Sequence, residues 1–124
     1  VSRDLVIWER EDLEGLAVSP DGWIGKTAKE AVEIKCLGSA RHIEAVITNE
    51  VPDEYHYQAI QYFAVNDKLE TLHFCFYDPR LKVKDFHVIE ITREQMQEEV
   101  DAMIAYQKDT LAEVDKYVQE LSEF

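Results

Sequence analysis

The chain has 124 residues, 46% of them hydrophobic and 31% charged, which is enough for one compact domain over residues 1–124 with a modest core. No apolar run approaches the roughly 18 residues of a membrane span, and no basic, then apolar, then small-residue leader opens the sequence, so the expected setting is the cytoplasm. Twenty-six acids against thirteen bases give a net charge of −13, which argues against indiscriminate nucleic-acid binding, because that mode leans on Lys and Arg at phosphates.

Taken in chain order, Leu5 to Glu9 is β-rich and reads as a strand, and Gly15 to Val18 as a second extended piece. Ser19-Pro20-Asp21-Gly22 carries a strong turn signal, since Pro presets φ and Gly accepts positive φ. Trp23-Ile24-Gly25 leaves that turn, and Lys26 to Lys29 form a polar connection. Glu30 to Cys36 then reads as a strand in which Val32 and Ile34 alternate with Glu33 and Lys35. These pieces predict an antiparallel hairpin or meander.

Ser39 is the expected N-cap of a short helix reaching about Val46, and Thr48 to Asp53 is a loop containing Pro52. Glu54 to Val65 reads as a helix burying Tyr55, Ala59, Tyr62 and Phe63, ended by Asn66-Asp67. Thr71 to Tyr77 and Phe86 to Ile91 are two further strands, joined through Asp78-Pro79-Arg80. Thr92 with Gln95 makes a capping box, and Met96, Val100, Met103, Leu111, Val114, Val118 and Leu121 form an apolar stripe that Gln107 interrupts. The spacing predicts a long amphipathic helix that packs against the sheet, with a coiled-coil or subunit contact as the alternative. Cys36 and Cys75 match no zinc spacing and are too few for an iron–sulfur cluster, which takes about four thiolates, so both are expected to be free thiols. The acidic excess concentrates from Arg93 onward, while Lys26, Lys29, Lys35, Arg41, Arg80, Lys82 and Lys84 lie upstream of it.

Two acids and a lysine stand out by position. Glu33 and Lys35 lie two apart on one strand and share a face, and pairing of the neighbouring strands would bring Asp21 in its turn near Glu33. Converging carboxylates suit a hard cation such as Mg²⁺, whose shell is completed by waters and a substrate phosphate. A lysine on the same face can steady developing negative charge and orient a water. Ile34 is expected to point its side chain into the core and leave its carbonyl free as a ligand. Against this stands the ordinary account of a Glu-x-Lys pair, a surface ion pair worth about 0–1 kcal/mol.

Val18-Ser-Pro-Asp-Gly-Trp-Ile-Gly25 followed by Val32-Glu-Ile-Lys-Cys36 resembles the core of the phage-type alkaline exonucleases, the lambda-exonuclease or YqaJ-like viral recombinase branch of the PD-(D/E)xK nucleases. Val51-Pro-Asp-Glu-Tyr-His-Tyr-Gln58 resembles the family's helix motif, in which a tyrosine precedes a glutamine by three, and Tyr77-Asp-Pro-Arg80 and the long C-terminal helix match the same layout. The resemblance runs from about Leu5 to Leu121 and implies an α/β fold with a central mixed sheet of about five strands flanked by helices. It further implies that Asp21, Glu33 and the Ile34 carbonyl bind Mg²⁺ (or Mn²⁺), that Lys35 is the catalytic lysine, and that Gln58 helps position the site. Ser39 and Tyr55 are weaker candidates for touching the DNA backbone; His42 and His56 are read as ordinary core or surface histidines in preference to phosphate ligands.

The implied activity is metal-dependent hydrolysis of DNA phosphodiesters, 5′ to 3′ from linear duplex ends, in phage recombination within a bacterial host. A ring-forming trimer and a single-strand annealing protein are the implied partners. Leu37 stands where the family often has Pro, and helices that the family carries ahead of the first strand, with a further metal ligand, are not found before Leu5. The competing reading is a nuclease-fold interaction module that binds a recombination protein through its acidic surface; an unrelated acidic α/β domain is the third.

Overall fold

The computed structural model describes residues 2–124. Its frame is a four-stranded mixed sheet, in the order β3 (Gly22–Ile24), β4 (Glu30–Lys35), β5 (Thr71–Tyr77) and β6 (Phe86–Thr92). β4 and β5 run parallel and the outer pairs antiparallel. A parallel pair needs a long crossover, and α1 (Ser39–Thr48), a 3₁₀ turn (Asp53–Tyr55) and α2 (His56–Val65) supply it. β1 (Trp8–Glu9) and β2 (Ala17–Val18) pair with each other in a separate ribbon. The expected sheet of about five strands is therefore four strands plus this ribbon. No helix among the described residues is long and apolar enough to cross a membrane.

Several boundaries move for local reasons. The strand expected from Leu5 shrinks to Trp8–Glu9, because Leu5 and Ile7 find nothing to pack on and stay exposed. Gly22 begins β3 opposite Val32, and the left-handed backbone lies instead at Gly25 (φ 81°) and Ala28 (φ 52°), in the β3–β4 connection. Gly38, not Ser39, caps α1, which runs on to Thr48 and closes on Asn49 in the left-handed region (φ 53°). The helix expected from Glu54 opens as the 3₁₀ turn and becomes α-helical only at His56.

One face of the sheet carries Ala31, Leu72, Phe74, Phe76 and Ile89 into a core shared with Ala59, Ile60, Tyr62 and Phe63 of α2. Glu33 and Lys35 follow Ala31 in steps of two and so share this helix-covered face. Ile34 points the other way and is 50% exposed, which corrects the expectation that its side chain enters the core. On the far face Tyr77, Phe86 and Val88 are exposed as well. α3 (Arg93–Ser122) opens with the expected capping box of Thr92 and Gln95. Its first half packs on α2, not on the sheet as expected, burying Val100 with Met96, Met103 and Ile104 against the core, while Gln107 bonds Gln61 at 2.6 Å. Val114, Val118 and Leu121 in its second half are exposed.

Arg93 joins the helices: its guanidinium donates to the carbonyls of Leu69, Phe63 and Asn66 and lies over the Phe63 ring. Two of those acceptors are at the C-terminal end of α2, where backbone carbonyls lack helical partners.

Candidate active site

The strand register assembles the site. Gly22 pairs with Val32, so one step further Asp21 stands opposite Glu33, where β3 has not yet begun and the edge of β4 is open. Asp21 Oδ2 accepts the Ile34 amide at 2.8 Å, bridging that gap with a side chain. In an antiparallel pair, N–H and C=O of one residue face the same neighbour, so the Ile34 carbonyl lies on the same open edge as Asp21.

Glu33 is 5% exposed and accepts from three donors. Gln58 Nε2 reaches its Oε1 at 2.9 Å, Lys35 Nζ lies 3.3 Å from the same oxygen, and the Tyr62 hydroxyl donates to Oε2. A carboxylate offers about four acceptor positions; three are filled and the remaining one is on Oε2. Burial, then the hydrogen bond to Glu33, then the negative charges of Glu33 and Asp21 push the Tyr62 phenol far above its ordinary pKa. The ring thus stays a donor, and its hydroxyl, bonded to Glu33, also feels the negative charge of Asp21. Lys35 lies 4.7 Å from the centre of the Tyr55 ring, which itself packs on Phe74. A cation held over an aromatic face is restrained without losing its charge.

Asp21, Glu33 and Lys35 are therefore gathered as the spacing anticipates, Gln58 joins them as the resemblance implies, and Tyr55 contributes as a platform for Lys35. Ser39 is not at this centre: its hydroxyl donates to Asp78 Oδ2 at 2.6 Å. His42 is fully buried and bonds the Lys84 carbonyl, and His56 pairs with Glu99, the ordinary roles expected of both. Cys36 and Cys75 are free. Tyr62 is the residue that sequence reasoning placed in the core without a role. The signal was present, since it follows Gln58 by four positions and so shares its helix face.

Among the described residues, no group of three or more His, Cys, Asp or Glu side chains could hold a metal ion. What the edge of β4 offers is two carboxylates, each with an oxygen not saturated by protein donors, and one backbone carbonyl. That all-oxygen, incomplete set fits Mg²⁺, which is commonly held by one or two carboxylates with waters and substrate phosphates supplying the rest.

The fold is that of an alkaline exonuclease. The structure matches the alkaline exonuclease LHK-Exo from Laribacter hongkongensis with a TM-score of 0.74 at 23% identity, over 97% of this chain and 62% of that one. It matches LHK-Exo in complex with dAMP with a TM-score of 0.72 at 23% identity, over 94% and 60%. This chain thus spans less than two thirds of the length of those structures. Residues 2–69, just over half the chain and including Asp21, Glu33, Lys35 and Gln58, match the YqaJ-like viral recombinase domain. The chain belongs to the YqaJ-like viral recombinase family. No curated protein matches it.

Proposed function

We propose that this chain is the metal-binding domain of a deoxyribonuclease that hydrolyses DNA phosphodiesters. The observation that carries this reading is the gathering of Asp21, Glu33, the Ile34 carbonyl and Lys35 along the open edge of β4, with Gln58 and Tyr62 fixing Glu33 from behind. Family membership and the alkaline-exonuclease fold support it.

In this reading Asp21, Glu33 and the Ile34 carbonyl hold Mg²⁺, with Mn²⁺ able to substitute. An ion held there would supply Lewis-acid polarisation of the scissile phosphoryl group and a lower pKa for the attacking water. Lys35, restrained by Glu33 and the Tyr55 ring, aligns that water and offsets negative charge as it develops. Gln58 and Tyr62 keep the Glu33 carboxylate in one orientation, which avoids reorganisation when substrate arrives. Digestion from linear duplex ends in the 5′ to 3′ sense, a trimeric ring, an annealing-protein partner and a cytoplasmic, phage-derived setting extend the proposal by resemblance.

The test is digestion of linear duplex DNA with Mg²⁺ or Mn²⁺, with Glu33→Ala and Lys35→Ala alongside. The wild type is expected to release nucleotides and each variant to lose at least about a hundredfold, the scale of removing one electrostatic catalytic group. Equal behaviour of all three proteins would sink the enzyme reading. The net charge of −13 favours the second reading, an acidic interaction module on the same fold, and that outcome would select it.

A further inference from the structure

Among the described residues the buried polar or charged side chains are Glu33, His42 and Asp78. Burying such groups is costly unless they are satisfied. Glu33 belongs to the site above; the other two both fasten the turn between β5 and β6. Asp78, at the exit of β5, accepts from the Ser39 hydroxyl at 2.6 Å and from Arg80 Nε at 2.8 Å and its amide at 3.1 Å. His42, on α1, donates from Nε2 to the Lys84 carbonyl at 2.8 Å, while its Nδ1 is buried without a hydrogen-bond partner among the described residues. Backbone bonds from Asp78 to Asp85, Leu81 to Asp78 and Lys84 to Leu81 close the turn. A surface loop is therefore held at both ends by fully buried polar groups.

What this rigid turn displays is positive charge. Lys82 and Lys84 are exposed, and Val83 between them is 95% exposed. Neither lysine has a carboxylate within ion-pairing distance among the described residues, whereas Lys29, Lys35 and Lys108 each have one. Asp78 is already matched by Arg80, which leaves Asp85 as the turn's one remaining acid. Burial, and then the charges of Lys84 and His42, hold the neighbouring His87 imidazole below its ordinary pKa, in keeping with a locally positive field.

The turn also lies at the right end of the sheet. β4 and β5 are parallel and Lys35 pairs with Phe76, so the turn leaves the sheet where Lys35 sits. Arg80 Nη2 bonds the Leu37 carbonyl at 3.2 Å, two residues past Lys35. We propose that the Asp78–Asp85 turn is a preorganised phosphate-contact surface, with Lys82 and Lys84 taking backbone phosphates of the DNA strand that passes Lys35. The inference rests on the reading of the site as one that hydrolyses DNA. A polyanion approaches a chain of net charge −13 only where cations are concentrated, and here two unpaired lysines stand on an anchored turn at the same end of the sheet as Lys35.

The experiment is fluorescence anisotropy of a labelled linear duplex in EDTA, measured across salt concentration. The proteins are the wild type, the Lys82→Gln/Lys84→Gln double variant, Val83→Lys, and Lys116→Gln on the exposed half of α3. Each phosphate contact contributes about 0.9 to the slope of log affinity against log salt. The double variant is expected to bind more weakly with a slope smaller by about 1.8, Val83→Lys to raise the slope by about 0.9, and Lys116→Gln to keep the wild-type slope. A double variant with the wild-type slope overturns the inference, as does a Lys116→Gln slope that falls as much per charge. Digestion with Mg²⁺ separates the two levels. Wild-type protein that neither binds nor cleaves duplex sinks the site reading and the turn with it. Wild-type protein that cleaves, beside a double variant of unchanged slope, sinks the turn alone.

Discussion

Replacing Tyr62 with phenylalanine removes the hydroxyl at the centre of the buried polar cluster, whose principal contact is Glu33 and whose weaker one is the Ser19 carbonyl at 3.5 Å. The ring is fully buried and meets Trp8 edge-on at 6.4 Å, so phenylalanine keeps the packing and deletes only the hydroxyl. The acceptor that loses its donor is a carboxylate 5% exposed, and no protein donor other than Tyr62 reaches Oε2 among the described residues. Hydrogen bonds to charged groups contribute about 1.5–3 kcal/mol, and a buried acceptor left unpaired forfeits that amount in full. Tyr62→Phe is therefore expected to lower unfolding stability in EDTA by about 2 kcal/mol, read as a lower urea midpoint at unchanged slope. The same contact orients the carboxylate proposed to hold metal, and loss of such a partner costs about 10–100-fold in metal affinity. Calorimetric titration with Mn²⁺ is expected to show that loss, with Glu33→Gln as the reference for a site deprived of its ligand. A variant with wild-type stability and wild-type Mn²⁺ affinity would refute the reasoning. A stability loss with unchanged affinity would show that Tyr62 supports the core without positioning Glu33.

The Ser39 hydroxyl, followed by Arg80, lowers the Asp78 carboxyl to about 2, against about 3.9 in an unfolded chain. A depressed pKa stabilises the folded state above the unfolded value and loses that effect as pH falls through the folded one. Asp78→Asn is thus expected to be less stable than wild type at neutral pH, with the gap closing between about pH 4 and pH 2 in urea midpoints; a gap constant over that window would contradict the assignment. Arg93→Ala removes the fork that serves Leu69, Phe63 and Asn66, and partial offset by guanidinium desolvation leaves an expected loss of about 2–4 kcal/mol by chemical denaturation. Arg93→Lys should recover only part of it, because an ammonium cannot reproduce the planar fork, and full recovery would point to charge alone.

Local chemistry determined much of this protein before any contact was known. The Thr92–Gln95 capping box starts α3, and the period-two alternation of Glu30–Lys35 makes β4. Three side chains of the candidate site were legible too, because Glu33 and Lys35 share a face by strand geometry and Asp21 lies one register step past a short hairpin, whereas Gln58 was reached only through the family resemblance. Alternation defines two faces, however, without saying which is covered. Hydrophobicity assigned Ile34 to the interior, and the fold instead buries Glu33 and leaves Ile34 half exposed. Tertiary structure decided that, since a buried carboxylate is tolerable only where donors converge on it, and its donors Gln58 and Tyr62 lie 25 and 29 residues away. The same holds for Asp78 with Ser39 and for His42 with Lys84, at separations of 39 and 42 residues. Periodicity along the chain reports what each residue could face; only the folded arrangement of α2 over β4 determines which polar group finds a partner and can afterwards stay out of water.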